Sequence, residues 1–175
     1  PGAHIRRVRN ECTQDPDLAY KINVEGTRNI VEGCRDTGSK LIFLSTGNVF
    51  RSNSLPYIET DTPNPNTVYG KTKAEAEELS LALPDTLILR PDGLYGYNGI
   101  GKENGFFGKI LDPQGIAANS RQIRDFLWVD DLSRFTQMAI EKKLAGIYHL
   151  AGQNKMTRKD LGEKLEKIAG ISGRV

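Results

Sequence analysis

Cysteine is scarce. Cys12 and Cys34 are the only two among 175 residues, and their spacing suits no metal. A reducing compartment and two inert thiols are the expectation. No cluster of His, Cys, Asp or Glu has metal-ligand spacing, so no metal site is expected. Charge of one sign is also missing as a block. The 24 Lys and Arg interleave with 22 Asp and Glu to a net charge of +2, which does not imply nucleic acid as a partner. No apolar run approaches the roughly 20 residues that span a bilayer, so no membrane partner is expected. The opening "PGAHIRRVRNECTQ" lacks the apolar core of a secretory signal, and a cytoplasmic location is the expectation. Internal repeats and low-complexity tracts are absent. What remains, 38% hydrophobic and 26% charged residues, fits one soluble globular domain with a real core.

The pattern along the chain alternates. Residues 1–14 read as a polar loop. From Asp15 to Gly38 a helix is predicted, with Asp15 as cap, Pro16 in the first turn and Gly38 at the end. Ala19, Ile22, Ile30 and Cys34 define its buried face, and Gly26 on that stripe would allow close approach to a sheet. "KLIFLST" is a continuous apolar run of strand length, which suits a parallel strand buried on both faces. Residues 47–66 form a long loop of the kind that carries function. A helix over 67–81 and the strand "DTLILR" follow. Next come a glycine-rich loop and a short helix or strand around "FFGKIL". "DFLWVDDLSRFTQMAIEKKL" begins extended and turns helical at Asp130, with Leu132, Phe135, Met138 and Ala139 as its apolar face. "GIYHLAG" reads as a third buried strand. "TRKDLGEKLEKIAG" reads as a last helix, capped by Thr157 with Leu161, Leu165 and Ile168 inward. Strands alternating with helices predict an α/β fold with a doubly wound parallel sheet.

One pair of residues asks for chemistry. In "NTVYGKTKAEAEEL", Tyr69 and Lys73 lie four apart, on one face of the predicted helix. An ammonium beside a phenol favours the phenolate and lowers a pKa that starts near 10, which makes a general acid/base for neutral pH. A bare Tyr-x-x-x-Lys is otherwise a surface pair on an amphipathic helix. Its context is what distinguishes it. Ligands in such sheets bind beyond the carboxyl ends of the strands, and the preceding strand ends at Thr46. A hydroxyl donor, a phenol and a cation together suit proton transfer to an alcohol or carbonyl oxygen while hydride moves to carbon. Other residues read as structural: His149 as a core histidine, His4 as a terminal-loop residue, Lys142 and Lys143 as a solvated helix end.

With these residues in place the chain resembles the extended short-chain dehydrogenases/reductases, the NAD-dependent epimerase/dehydratase group. The resemblance runs through "INVEGTRNIVEGC", "LIFLSTGNVF", "PYIETDTPNPNTVYGKTKAEAE", "LILRPDGLYG", "RDFLWVDDLSR" and "GIYHLAG", in order and over nearly the whole chain. It implies that the α/β fold is part of a Rossmann-like, doubly wound parallel sheet with a small C-terminal substrate-binding portion. Residues 15–91 and 130–152 would be the catalytic part, and 92–129 and 153–175 the substrate-binding part. It implies NAD or NADP as cofactor and a nucleotide-activated sugar as substrate. Tyr69 would be the acid/base. Lys73 would hold the nicotinamide ribose and tune the phenol, and Thr46 would bond the reacting oxygen. Asn23, Ser45 and the Pro91, Asp92, Gly93 turn would flank the cofactor along with Tyr69 and Lys73. Asn48 would join Thr46 on the substrate side. Arg124 would bind the nucleotide phosphates, the alternative being a surface pair with Asp130 or Asp131. "GIYHLAGQNKMTRKDLGEKL" and "STGNVF" are most similar to dTDP-4-dehydrorhamnose reductases, whereas "RDFLWVDDL" is nearer the epimerases. Trp128 and residues 97–121 are expected to shape substrate choice. The resemblance also implies a possible homodimer. The competing class is a non-catalytic regulatory subunit that keeps the fold.

Glycines 93, 96 and 99 mimic a pyrophosphate loop, but no acid-ended second strand follows, so they read as a substrate-side loop. The family's opening strand, glycine-rich loop and second strand are missing. The expectation is a fragment of a longer enzyme, with on the order of 60 residues absent, counting two βαβ units. Two consequences are expected: weak NAD(P)H binding by these residues alone, and an exposed apolar edge at "LIFLST".

Overall fold

The structure is a computed structural model that describes residues 11–51, 56–96, 121 and 123–173. They divide into two compact units. One holds the residues up to Pro91 together with Gln137–Leu150; the other holds Asp92–Thr136 together with the residues from Ala151 on.

In the first unit, residues 11–14 are helical and Cys12 is buried, so the loop expected over 1–14 does not hold for 11–14; residues 1–10 lie outside the described residues. The long helix follows as α1 (Pro16–Tyr20), a π-helical turn (Lys21–Glu25) and α2 (Gly26–Thr37). Asp15 caps it by accepting from the Leu18 N–H at 2.9 Å. Gly38 ends it at φ +66°, the left-handed value that a residue without Cβ adopts freely. The predicted buried face is wrong, and the π turn is the reason. Ala19, Val24 and Val31 are buried, while Ile22 and Ile30 are 62% and 56% exposed. Ala19 to Val24 is a π spacing and Val24 to Val31 two α turns, so the widened turn rotates the stripe. Nor does Gly26 allow close approach: a Cβ there would meet nothing nearer than the Lys21 carbonyl at 3.9 Å.

Three parallel strands follow: β1 (Ile42–Leu44), β2 (Leu87–Pro91) and, later in the chain, β4 (Gly146–Leu150). Their order is β1-β2-β4. Leu44 pairs with Leu89, and Pro91 with Leu150. Only the central β2 is buried throughout. Neither "LIFLST" nor "GIYHLAG" is buried on both faces as predicted. Both flank the sheet; β4 is half-buried and Leu44 is 50% exposed. Between β1 and β2 lie a 3-10 turn (Gly47–Val49) and α3 (Val68–Leu81), capped by the Thr67 hydroxyl on the Gly70 N–H. Val31, Leu41 and Leu83 form a buried cluster against which Cys34 and Phe43 pack.

In the second unit, β3 (Ile123–Asp125) pairs antiparallel with β5 (Lys155–Thr157), a strand the sequence pattern did not reveal. α4 is Val129–Glu141, its residues from Gln137 on belonging to the first unit, and α5 is Arg158–Ala169. Thr157 and Asp160 close a reciprocal capping box at the start of α5. Leu161 faces inward, but Ile168 is 82% exposed rather than buried. Gly93 takes φ +52°, and a Cβ there would lie 2.9 Å from the Phe126 ring. Gly96 is pressed against Val129 in the same way, so these two glycines serve packing. Gly99, "FFGKIL" and most of the predicted specificity loop lie outside the described residues.

Candidate active site

The carboxyl end of β1 runs straight into the site. Ser45 is held by its N–H donating to the Leu89 carbonyl at 2.7 Å. Its hydroxyl is buried and has no hydrogen-bond partner among the described residues. Thr46 is extended and caps the 3-10 turn. Its Oγ1 accepts from the Asn48 backbone N–H at 3.2 Å and from Asn48 Nδ2 at 2.8 Å. A hydroxyl has two lone pairs and one proton. Asn48 therefore occupies the acceptor side of Thr46 and leaves its proton as the group's remaining valence. Asn48, predicted to face substrate, is what orients Thr46.

The first turn of α3 is pressed onto this turn. A Cβ on Gly70 would lie 2.3 Å from the Asn48 carbonyl oxygen and 2.8 Å from Pro65 Cβ. Only glycine permits that approach, and Tyr69 precedes it directly. Sequence reasoning missed Gly70; a glycine in the first turn of an otherwise good helix was its one signal. Tyr69 is half-buried in that turn, where the helix N-terminus favours negative charge by about 0.3–1 kcal/mol.

One turn on, Lys73 Nζ donates to the Leu44 carbonyl at 2.9 Å and sits 3.9 Å from the Phe43 ring centroid. Burial pushes its pKa down to about 8, against an upward pull from the Glu77 carboxylate. The ammonium is therefore seated at the same strand end as Ser45 and Thr46. Asn23, on the π turn, donates through Nδ2 to Thr72 Oγ1 at 3.0 Å, and Thr72 bonds the Tyr69 carbonyl at 3.1 Å. It thus supports α3. Pro91 ends β2, buried beside β4.

Two buried groups unmarked by the sequence reading lie behind the site. Arg90 makes a two-point ion pair with Glu77 and also contacts His149 Nε2. His149, read as structural, accepts there, which places its own proton on Nδ1.

In the second unit, Arg124 and Asp92 pair with each other at 2.8 Å, both half-buried. Arg124 does not take the surface pairing considered with Asp130 or Asp131; Asp131 lies 3.7 Å from Arg134 instead. Trp128 borders a cleft of ≈ 400 Å³ with Tyr95, Asp131, Gln153, Asn154 and Met156 among its walls.

The family model of the RmlD substrate binding domain matches residues 4–174. A dTDP-4-dehydrorhamnose reductase of Streptomyces griseus is 32% identical over 173 residues, 92% of this chain and 56% of the relative. Methionine adenosyltransferase 2 subunit beta of Bos taurus is 30% identical over 156 residues, 83% of this chain and 47% of the relative. The structure of dTDP-4-dehydrorhamnose reductase from Bacillus anthracis in complex with NADP aligns with a TM-score of 0.86 at 27% identity, covering 95% of this chain and 60% of that one. The chain spans about half the length of the curated relatives it matches. Matched over nearly all of its residues, and folded around the parallel sheet those relatives lead one to expect, the chain belongs to the RmlD substrate binding domain family.

Proposed function

We propose that these residues form the catalytic portion of an NAD(P)-linked reductase or epimerase acting on a nucleotide-activated sugar, most like a dTDP-4-dehydrorhamnose reductase. The observation that carries this reading is the strand end itself. Asn48 fills the acceptor side of Thr46 Oγ1 and leaves its proton to give, and Gly70 brings the first turn of α3, with Tyr69, against the same turn. Thr46 donates to the reacting oxygen and polarises it. Tyr69 delivers or removes the proton at that oxygen. Lys73, anchored on the Leu44 carbonyl, retains further N–H groups for a ribose hydroxyl and keeps positive charge near the phenolate. A nicotinamide cofactor held beside Ser45 and Lys73 would supply the hydride. The residues fit such a group, because Ser45 presents a buried hydroxyl without a partner at this strand end. Asn23 takes part from behind, through Thr72. In the second unit, Arg124 offers N–H groups beyond the one given to Asp92, and a guanidinium fork suits phosphate. Asp92 and Gly93 shape the backbone beside it, and Trp128 borders a cleft of the same unit with aromatic and amide walls.

The experiment is NAD(P)H oxidation with dTDP-4-keto sugars, by the 175-residue chain and by the longest polypeptide that carries it. Tyr69→Phe is expected to lose on the order of 10²–10⁴-fold in rate, the usual worth of a positioned acid/base. Full activity in Tyr69→Phe would end the reading. A second reading rests on the similarity to a protein named as a subunit of methionine adenosyltransferase: the fold would serve as a non-catalytic subunit. A chain without turnover that binds another protein tightly would favour it.

A further inference from the structure

The face of α3 that carries Tyr69 and Lys73 continues for one more turn to Glu77, and there the helix is fastened to the sheet. Arg90 Nε donates to Glu77 Oε1 at 2.9 Å and Arg90 Nη2 to Oε2 at 2.6 Å. Both side chains are 2% exposed. The guanidinium also donates through Nη1 to His149 Nε2 at 3.2 Å and lies 5.0 Å from the Phe50 ring centroid. Arg90 follows Leu89, the β2 residue paired with Leu44, and Leu44 holds Lys73 by its carbonyl. Successive turns of α3 thus meet neighbouring strands: Lys73 bonds Leu44 of β1 and Glu77 bonds Arg90 of β2.

A buried ion pair is weak grounds for stability, since an apolar pair of similar volume often does as well. What a planar two-point fork adds is geometry. We propose that Arg90 and Glu77 are positioning residues for Lys73. Their fork sets the height and rotation of α3 against the sheet, and the Glu77 carboxylate one turn away favours the charged ammonium. The catalytic consequence rests on the function proposed above; the placement and charge of Lys73 do not. Tyr69 and Glu77 flank Lys73 one turn to either side on its own helix, and the Phe43 ring and Leu44 carbonyl meet the ammonium from β1. Around the fork stand His149 from β4 and Glu59 from the loop, whose carboxylate accepts the His149 N–H at 3.0 Å. That bond holds Glu59 below the usual carboxylate range, with a smaller contribution from Arg90. Glu77 is the carboxylate that pulls Lys73 upward against burial.

The test is a heteronuclear NMR titration of the Lys73 side chain in the 175-residue chain. The parent is expected to titrate at about 8. In the double variant Arg90→Met with Glu77→Leu, an apolar pair fills the space, so the fold persists while fork and carboxylate are lost. The Lys73 midpoint is then expected to fall below the parent value, the Leu44 and Lys73 backbone resonances to move, and labelling of Lys73 by an amine-selective reagent at pH 7 to rise severalfold. Glu77→Gln keeps the side chain's size and reads the charge alone; its Lys73 midpoint is expected to fall as well. A purely structural staple would change thermal stability and leave Lys73 where it was. An unchanged midpoint in either folded variant overturns the proposal, whatever the turnover. A shifted midpoint in a chain that turns over no sugar nucleotide removes the reaction and leaves the positioning intact.

Discussion

Gly70→Ala separates packing from helix propensity at the site. In an open helix interior, alanine for glycine stabilises by about 1 kcal/mol. Gly33, inside α2, is such a position: nothing lies within 4 Å of the added Cβ, so Gly33→Ala is expected to gain that amount. At Gly70 the same methyl meets the Asn48 backbone oxygen at 2.3 Å, Pro65 Cβ at 2.8 Å and Thr67 Oγ1 at 3.1 Å. The nearest obstacle is main chain, in the turn that Thr46 caps, so no side chain can swing aside. To reach even 3.0 Å, the helix and turn must part by about 0.7 Å, the difference from 2.3 Å. Overpacking of this kind costs about 1–3 kcal/mol, and the full cost is expected against unyielding backbone. After the propensity gain, a net loss of about 1–2 kcal/mol remains, and the two alanine variants should differ by about 2–3 kcal/mol. In a chain of this length each kcal/mol moves Tm by about 2–4 °C. Calorimetry or urea melts of both variants read the sign. The same displacement moves Tyr69 relative to Thr46, and a misplacement near 1 Å can cost about 10²-fold in rate. If Gly70→Ala proves as stable as Gly33→Ala, the close approach of α3 to the Thr46 turn is refuted.

The remaining predictions concern single groups. Lys73 has a folded pKa of about 8 against 10.5 when exposed, so between those values the unfolded chain binds the extra proton and stability rises with pH. Urea midpoints across that window should show the rise in the parent and lose it in Lys73→Met. Thr46→Val removes the acceptor of two Asn48 N–H groups and should cost about 1–3 kcal/mol; Thr46→Ser should restore it, and an indifferent Thr46→Val in urea melts would deny Asn48 its orienting role. Thr157→Ala opens the capping box of α5 and should cost about 0.5–2 kcal/mol in the same melts. Asp160 is held below the usual carboxylate range, chiefly by the Thr157 backbone N–H, so the box contributes above the ordinary carboxylate pKa and fades as pH falls through the depressed value. The difference between parent and Asp160→Ala should shrink accordingly in acid.

Caps and chain punctuation were legible because they act locally. Asp15, Gly38 and Thr157 stand where their side chains or missing Cβ satisfy helix ends, and that chemistry needs no distant partner. The parallel sheet was legible from apolar runs alternating with helices, and spacing and strand ends singled out Tyr69, Lys73 and Thr46 as candidates. The buried face of the first helix was not, since a π turn rotates the stripe and nothing in "KINVE" announces one. Strand β5 was missed because three residues carry no period. Ile168 read as core because its spacing suited a helix face, but spacing says nothing of what lies opposite. Arg124 was weighed against Asp130 and Asp131 and found Asp92, thirty-two residues away.

By itself the sequence determined which groups could do chemistry and where the helices begin and end, because composition and local hydrogen bonding travel with the chain. Only the tertiary structure decided which of those groups meet. Gly70 against Asn48, Lys73 on Leu44, and Arg90 clasping Glu77 behind them are contacts between segments distant in sequence. Such contacts depend on strand register and helix height, which arise only when the sheet and its helix pack.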